Sequence, residues 1–140
     1  MKKENLFGYV PAIATPFNKK GEIMEDAFVD LFEFLIERGA TCVCIAGDNG
    51  ESWSLSAEER GRLVRVAKDT SRGRVPIMMG ISAPTIDASL SYIRAAEENG
   101  ADVLLSMPQT YVLKATDADL MARFDKVYEA TNKPLVLYNS

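Results

Sequence analysis

Two glycines with two polar residues between them are the first place in this sequence where chemistry could sit. Gly47-Asp48-Asn49-Gly50-Glu51-Ser52 follows an apolar run. Gly47 and Gly50 let the backbone turn tightly and present amides towards a bound anion. An ordinary Asn-Gly turn has the same composition, so spacing alone leaves both readings open. Four other short segments also follow apolar runs: Thr15-Pro16-Phe17, Ser82-Ala83-Pro84, Pro108 to Tyr111, and Tyr138-Asn139. The sequence contains no histidine, which removes Ser-His-Asp and Cys-His nucleophile systems and every His-ligated metal site. Cys42 and Cys44 stand two residues apart. Strand alternation points both to one face, a poor geometry for a mutual disulfide. They read as reduced core thiols of a cytoplasmic protein, and neither a C-x-x-C pair nor further ligands suggest a metal.

These segments need elements to hold them. A first strand is expected over about Gly8 to Ala14, then a polar turn at Asn18-Lys19-Lys20-Gly21. Phe28, Leu31, Phe32, Leu35 and Ile36 repeat at helical spacing and predict a helix from about Glu25 to Arg38, ended by Gly39. Thr41 to Ala46 reads as a second strand, apolar on both faces as a buried parallel strand should be. Ser56 with Glu59 forms a capping box for a helix reaching about Thr70. Pro76 to Gly80 is a third strand, Thr85 to Asn99 a helix, and Asp102 to Met107 a fourth strand. Thr116 caps a helix to about Thr131, with Asp119 complementing its N-terminus, and Leu135 to Tyr138 is a fifth strand. Gly39-Ala40 recurs as Gly100-Ala101, and Arg74-Val75-Pro76 as Asn132-Lys133-Pro134. The period is about 60 residues, two βα units of about 30 each.

The 140 residues are 47% apolar and 26% charged, the composition of one ordinary soluble domain spanning the whole chain. A net charge of −4 argues against a non-specific nucleic-acid binder or a polybasic membrane anchor. The N-terminus lacks the apolar run of a signal peptide, and nothing approaches the roughly 18 apolar residues of a membrane span. Five strands and four helices fit two architectures, a doubly wound flavodoxin-like sheet or the first half of a (β/α)₈ barrel. The fifth strand has no helix after it, which favours the half-barrel. A flavodoxin-like receiver would want clustered acids after its first strand, where this chain has Thr15-Pro16. In both architectures ligands gather at the carboxyl ends of the strands, where the five segments lie.

The ordered set resembles the dihydrodipicolinate synthase/N-acetylneuraminate lyase family. It comprises Ala14-Thr15-Pro16-Phe17, Gly47-x-x-Gly50-Glu51-Ser52 with Leu55-Ser56, Gly100-Ala101-Asp102, Met107-Pro108 and Leu137-Tyr138-Asn139. The resemblance runs from about Gly8 to Asn139. It implies a (β/α)₈ barrel about twice this length, usually a homotetramer, acting as a lyase or synthase on pyruvate or a related 2-keto acid without a bound cofactor. A lysine on the sixth barrel strand forms a Schiff base with the keto carbon, and the protonated imine then serves as an electron sink. That strand is not part of the pattern matched here, so the chain reads as the N-terminal half, inactive by itself.

The resemblance implies a proton-relaying role for Tyr138. It also implies carboxylate binding by the loop of Gly47, Asp48 and Asn49, with Tyr111 reaching the pocket from the fourth strand's loop. Where the family has two hydroxyl residues between the loop glycines, this chain has Asp48 and Asn49. An amide can still donate, but a carboxylate opposes a bound anion. The alternative is a half-barrel that binds a small acid or a partner chain and does no chemistry. Trp53, the lone tryptophan, reads as a packing or subunit-contact residue.

Overall fold

A computed structural model describes residues 6–108 and 115–139. Four helices alternate with four strands: α1 (Glu25–Glu37), β1 (Val43–Ile45), α2 (Ala57–Ser71), β2 (Ile77–Gly80), α3 (Ile86–Glu98), β3 (Val103–Ser106), α4 (Asp117–Glu129) and β4 (Leu135–Leu137). The strands form one parallel sheet in the order β1-β2-β3-β4. Each consecutive pair is joined through a helix, the repeating βα unit of a barrel.

The segment expected as the first strand is a correction. Residues 9–13 run alongside β1 but make one isolated bridge, Ala12 with Cys44. Cys44 N–H donates to Pro11 O at 2.9 Å, and Ile13 N–H donates to Cys44 O at 3.0 Å. On one side the ladder stops because Pro11 has no N–H to donate. On the other it stops because Ala46 turns into the left-handed region at φ 52°. The second expected strand is therefore β1, and the fifth is β4.

The helix ends follow their side chains. The Ser56–Glu59 capping box opens α2, with Glu59 N–H donating to Ser56 Oγ at 3.1 Å and Ser56 N–H to Glu59 Oε2 at 2.8 Å. Thr116 and Asp119 form the same arrangement at α4, and Thr85 caps α3. Each satisfies amides that a helix start leaves without partners.

Burial separates the two faces of the sheet. Ile13, Val43, Ile45, Ile77, Met79 and Leu104 pack with the helices, where Phe28 and Phe32 of α1 and Leu63, Val64 and Ala67 of α2 are fully buried. Full burial of each such large side chain contributes roughly 1.5–3 kcal/mol. The opposite face gathers Cys42, Cys44, Met78 and Val103, with Leu6, Leu105 and Val136 against them. Cys42 and Cys44 are both free thiols on that face, as alternation required. Burial pushes the Cys42 thiol up to about 11, with the Asp102 charge adding to it, and burial pushes Cys44 up to about 12. Neither forms thiolate near neutral pH, so neither is a reactive cysteine. Among the described residues no helix is long and apolar enough to cross a membrane.

Candidate functional site

The loop after β1 is built from strained backbone. Ala46 and Glu51, both with side chains, sit at φ 52° and 55° on either side of it. Each costs about 1–2 kcal/mol of local strain. Between them Asp48–Gly50 form one 3₁₀ turn, and Ser52–Ser54 form another directly after. Gly50 N–H donates to Gly47 O and Glu51 N–H to Asp48 O, both at 3.0 Å.

Three contacts fix this loop against the strand ends. Thr15 Oγ, buried, donates to Gly50 O at 2.8 Å. A Cβ on Gly50 would lie 2.8 Å from Ile13 O, so only glycine permits that approach. Gly50 is required by close packing as well as by the turn. At the end of β2, a Cβ on Gly80 would lie 2.0 Å from Ala46 O, so the carboxyl ends of β1 and β2 meet where no side chain fits.

The third contact is Arg60, the largest fully buried side chain, at 1% exposure. Its Nη1 donates to Gly80 O at 2.7 Å, its Nε to Leu55 O at 3.3 Å, and its Nη2 to Ser52 O. The guanidinium carbon lies 3.8 Å from the centroid of the Tyr92 ring. Burial lowers the Arg60 pKa from its ordinary value, and Tyr92 opposes that shift.

The expected site residues occupy different positions relative to this frame. Gly47 is buried, while Asp48 and Asn49 are exposed at the carboxyl edge of the sheet. Among the described residues no acceptor meets the Asp48 and Asn49 amides. Asp48 also lines a cleft of about 480 Å³ with Ser52, Trp53, Arg60, Ser82, Tyr92 and Met107. Tyr138 N–H donates to Ser106 O at 2.9 Å, extending β4 by a residue, and its side chain is half exposed. Tyr138 and the loop therefore share one edge of the sheet but do not touch. β2 and β3 lie between them, about 14 Å along a sheet of usual strand spacing. Tyr111 lies outside the described residues.

Trp53, expected as a packing or subunit-contact residue, is 70% exposed on the second 3₁₀ turn, which leaves the first of those roles unfilled within the chain. Among the described residues no lysine lies in a strand. Lys19 and Lys20 stand in the turn, Lys126 in α4 and Lys133 before β4. Lys68 Nζ meets Asp102 Oδ2 at 3.0 Å, and that oxygen also accepts from Ile77 N–H at 2.8 Å.

Gly80, Arg60 and Tyr92 do not stand out in the sequence as site-building residues, whereas Thr15 lies in one of the five segments expected at the site. A signal for Arg60 was available. It stands at i with Leu63, Val64 and Ala67 at i+3, i+4 and i+7, a lone charge on the apolar stripe of α2. A charge there needs partners, and partners on a stripe facing the strand ends lead to the loop.

The model of the dihydrodipicolinate synthetase family matches residues 5–140. The 4-hydroxy-tetrahydrodipicolinate synthase of Salinibacter ruber is 35% identical over 99% of this chain and 46% of its own length. The same enzyme of Methanocaldococcus jannaschii is 37% identical over 94% and 45%. Among solved structures, a dihydrodipicolinate synthase from Agrobacterium tumefaciens superposes with TM-score 0.89 at 32% identity, over 98% of this chain and 46% of its own. A prophage protein of the same family from E. coli K12, solved in complex with pyruvate, gives TM-score 0.89 at 28% identity over 96% and 45%. The N-acetylneuraminate lyase of Mycoplasma synoviae, at 21% identity and TM-score 0.88, shares the fold. The chain spans about half the length of the relatives it matches. Its parallel βα units are part of a (β/α) barrel, and with the family model matched along nearly all its length the chain belongs to the dihydrodipicolinate synthetase family.

Proposed function

We propose that this chain supplies the N-terminal half of a lyase that acts on pyruvate or a related 2-keto acid. The loop Gly47-Asp48-Asn49 meets the substrate carboxylate, Tyr138 moves protons at the keto-acid carbons, and Tyr111 reaches the same pocket. The covalent step is attack of a lysine amine on the keto carbon, with loss of water to the imine. That lysine belongs to a strand beyond β4, so the 140 residues recognise substrate and do not bond to it. The chain acts as one unit, residues 1–140, in a cytoplasmic homo-oligomer, with no nucleic-acid or membrane partner.

The observation that carries this reading is the held loop after β1. Among the described residues, its strained ends, Thr15 and Gly50 leave the Asp48 and Asn49 amides without an acceptor and the Asn49 carboxamide at the edge where barrels bind ligands. Pyruvate in the structure of the E. coli relative agrees with the substrate class. Asp48 opposes an anion there, so the bound carboxylate leans on backbone amides and Asn49 and keeps clear of the Asp48 side chain.

Trapping with borohydride after incubation with pyruvate tests the division of labour. Mass measurement of the chain is expected to find no stoichiometric adduct. Specific labelling of one lysine, Lys114 for example, would mean that this half carries its own nucleophile.

A further inference from the structure

We infer that Arg60 is a positioning residue for the loop after β1, and that Tyr92 keeps it in its working orientation. The inference takes its functional sense from the reading above, since it concerns the same loop.

Arg60 is nearly inaccessible, yet its contacts among the described residues are three backbone carbonyls and one aromatic ring. Burying a cation without a carboxylate is costly, and an apolar side chain would fill the same volume without that penalty. What an apolar side chain lacks is the fork of donors. Ser52 and Leu55 stand at the two ends of the second 3₁₀ turn, and Gly80 ends β2. One rigid, planar group therefore holds both ends of that turn and the neighbouring strand in fixed register. Tyr92 comes from a different helix, α3, and its face covers the guanidinium. The loop is tied through Arg60 to α2, β2 and α3, while Thr15 holds its other side.

Hydrogen exchange on the chain reads this without substrate. The amides to follow are Gly50, Glu51, Ser54 and Leu55, each bonded within the loop, against Leu63, Val64 and Ala67 in the middle of α2. In Arg60→Met the loop amides are expected to exchange about tenfold faster while the α2 amides change less than about twofold. Arg60→Lys recovers only part of the protection, because an ammonium cannot span three carbonyls in one plane. Tyr92→Phe keeps the ring and leaves the loop unchanged; Tyr92→Leu loosens it. Emission from Trp53, which sits on the turn, shifts with the loop amides. Faster exchange spread evenly over loop and α2 would make Arg60 an ordinary core residue, and an unchanged loop in Arg60→Met would remove the role. If Arg60→Met does not fold, Tyr92→Leu decides by the same comparison. A failure of the keto-acid reading appears separately, as pyruvate leaving the intact loop untouched.

Discussion

The strands at the two flanks of the sheet, Val43-Cys44-Ile45 and Leu135-Val136-Leu137, are equally apolar and end in different states. In β1 all three residues are buried. In β4 the first two are half-buried and Leu137 is 54% exposed. The helices differ likewise. α2 buries Arg60, Gly61, Leu63, Val64, Ala67 and Ser71, whereas α4 buries Val127. Around β1 every neighbour is present: residues 9–13 on one edge, β2 on the other, α1 and α2 outside. Around β4, among the described residues, β3 pairs one edge, and a cleft of about 1060 Å³ opens beside Met121, Phe124, Tyr128 and Leu137. Burial belongs to the neighbourhood of a strand rather than to its sequence. The same comparison locates the candidate site, because the loop that is strained and held lies on the completed flank.

The largest consequence is association. Among the described residues the β4 flank offers an unpaired parallel edge with exposed Met121, Tyr128, Leu137 and Tyr138 beside it. Such edges and patches template further pairing. Light scattering over a range of concentrations is expected to find dimers or larger species, and Tyr128→Lys with Leu137→Lys should reduce them. A concentration-independent mass near 15.4 kDa would break the comparison by showing that the flank is sufficient as it stands.

Stability separates the flanks next. Gly80→Ala sets a Cβ against Ala46 O, with backbone on both sides of the clash. A loss of about 3 kcal/mol is expected in urea unfolding, at the upper end of overpacking effects. Leu137→Ala on the exposed flank should lose under about 1 kcal/mol. Equal losses would mean that β4 is as tightly held as β2.

Much of this was legible beforehand, for identifiable reasons. Helix positions followed from apolar spacing and caps, so Ser56–Glu59 and Thr116 stand where the sequence put them. The Gly47–Gly50 loop was legible as a loop because glycines mark turns. The first strand was over-read: apolar alternation favours a strand, but Pro11 lacks the donor that pairing with β1 needs, and no periodicity reports that. Arg60 was passed over because charge on a helix usually means solvent. Its meaning depends on three carbonyls that are 5, 8 and 20 residues away in sequence and adjacent only in the fold.

The smallest effect tests the central claim most directly, that the loop after β1 recognises a 2-keto acid carboxylate. Amide NMR of the chain during titration with pyruvate reads the loop residue by residue. The account predicts shifts concentrated at Asp48, Asn49 and Gly50, with tighter binding by several-fold in Asp48→Thr, where like-charge repulsion is removed. Shifts confined to the α4–β4 flank, or none at 47–50 in both proteins, would contradict it.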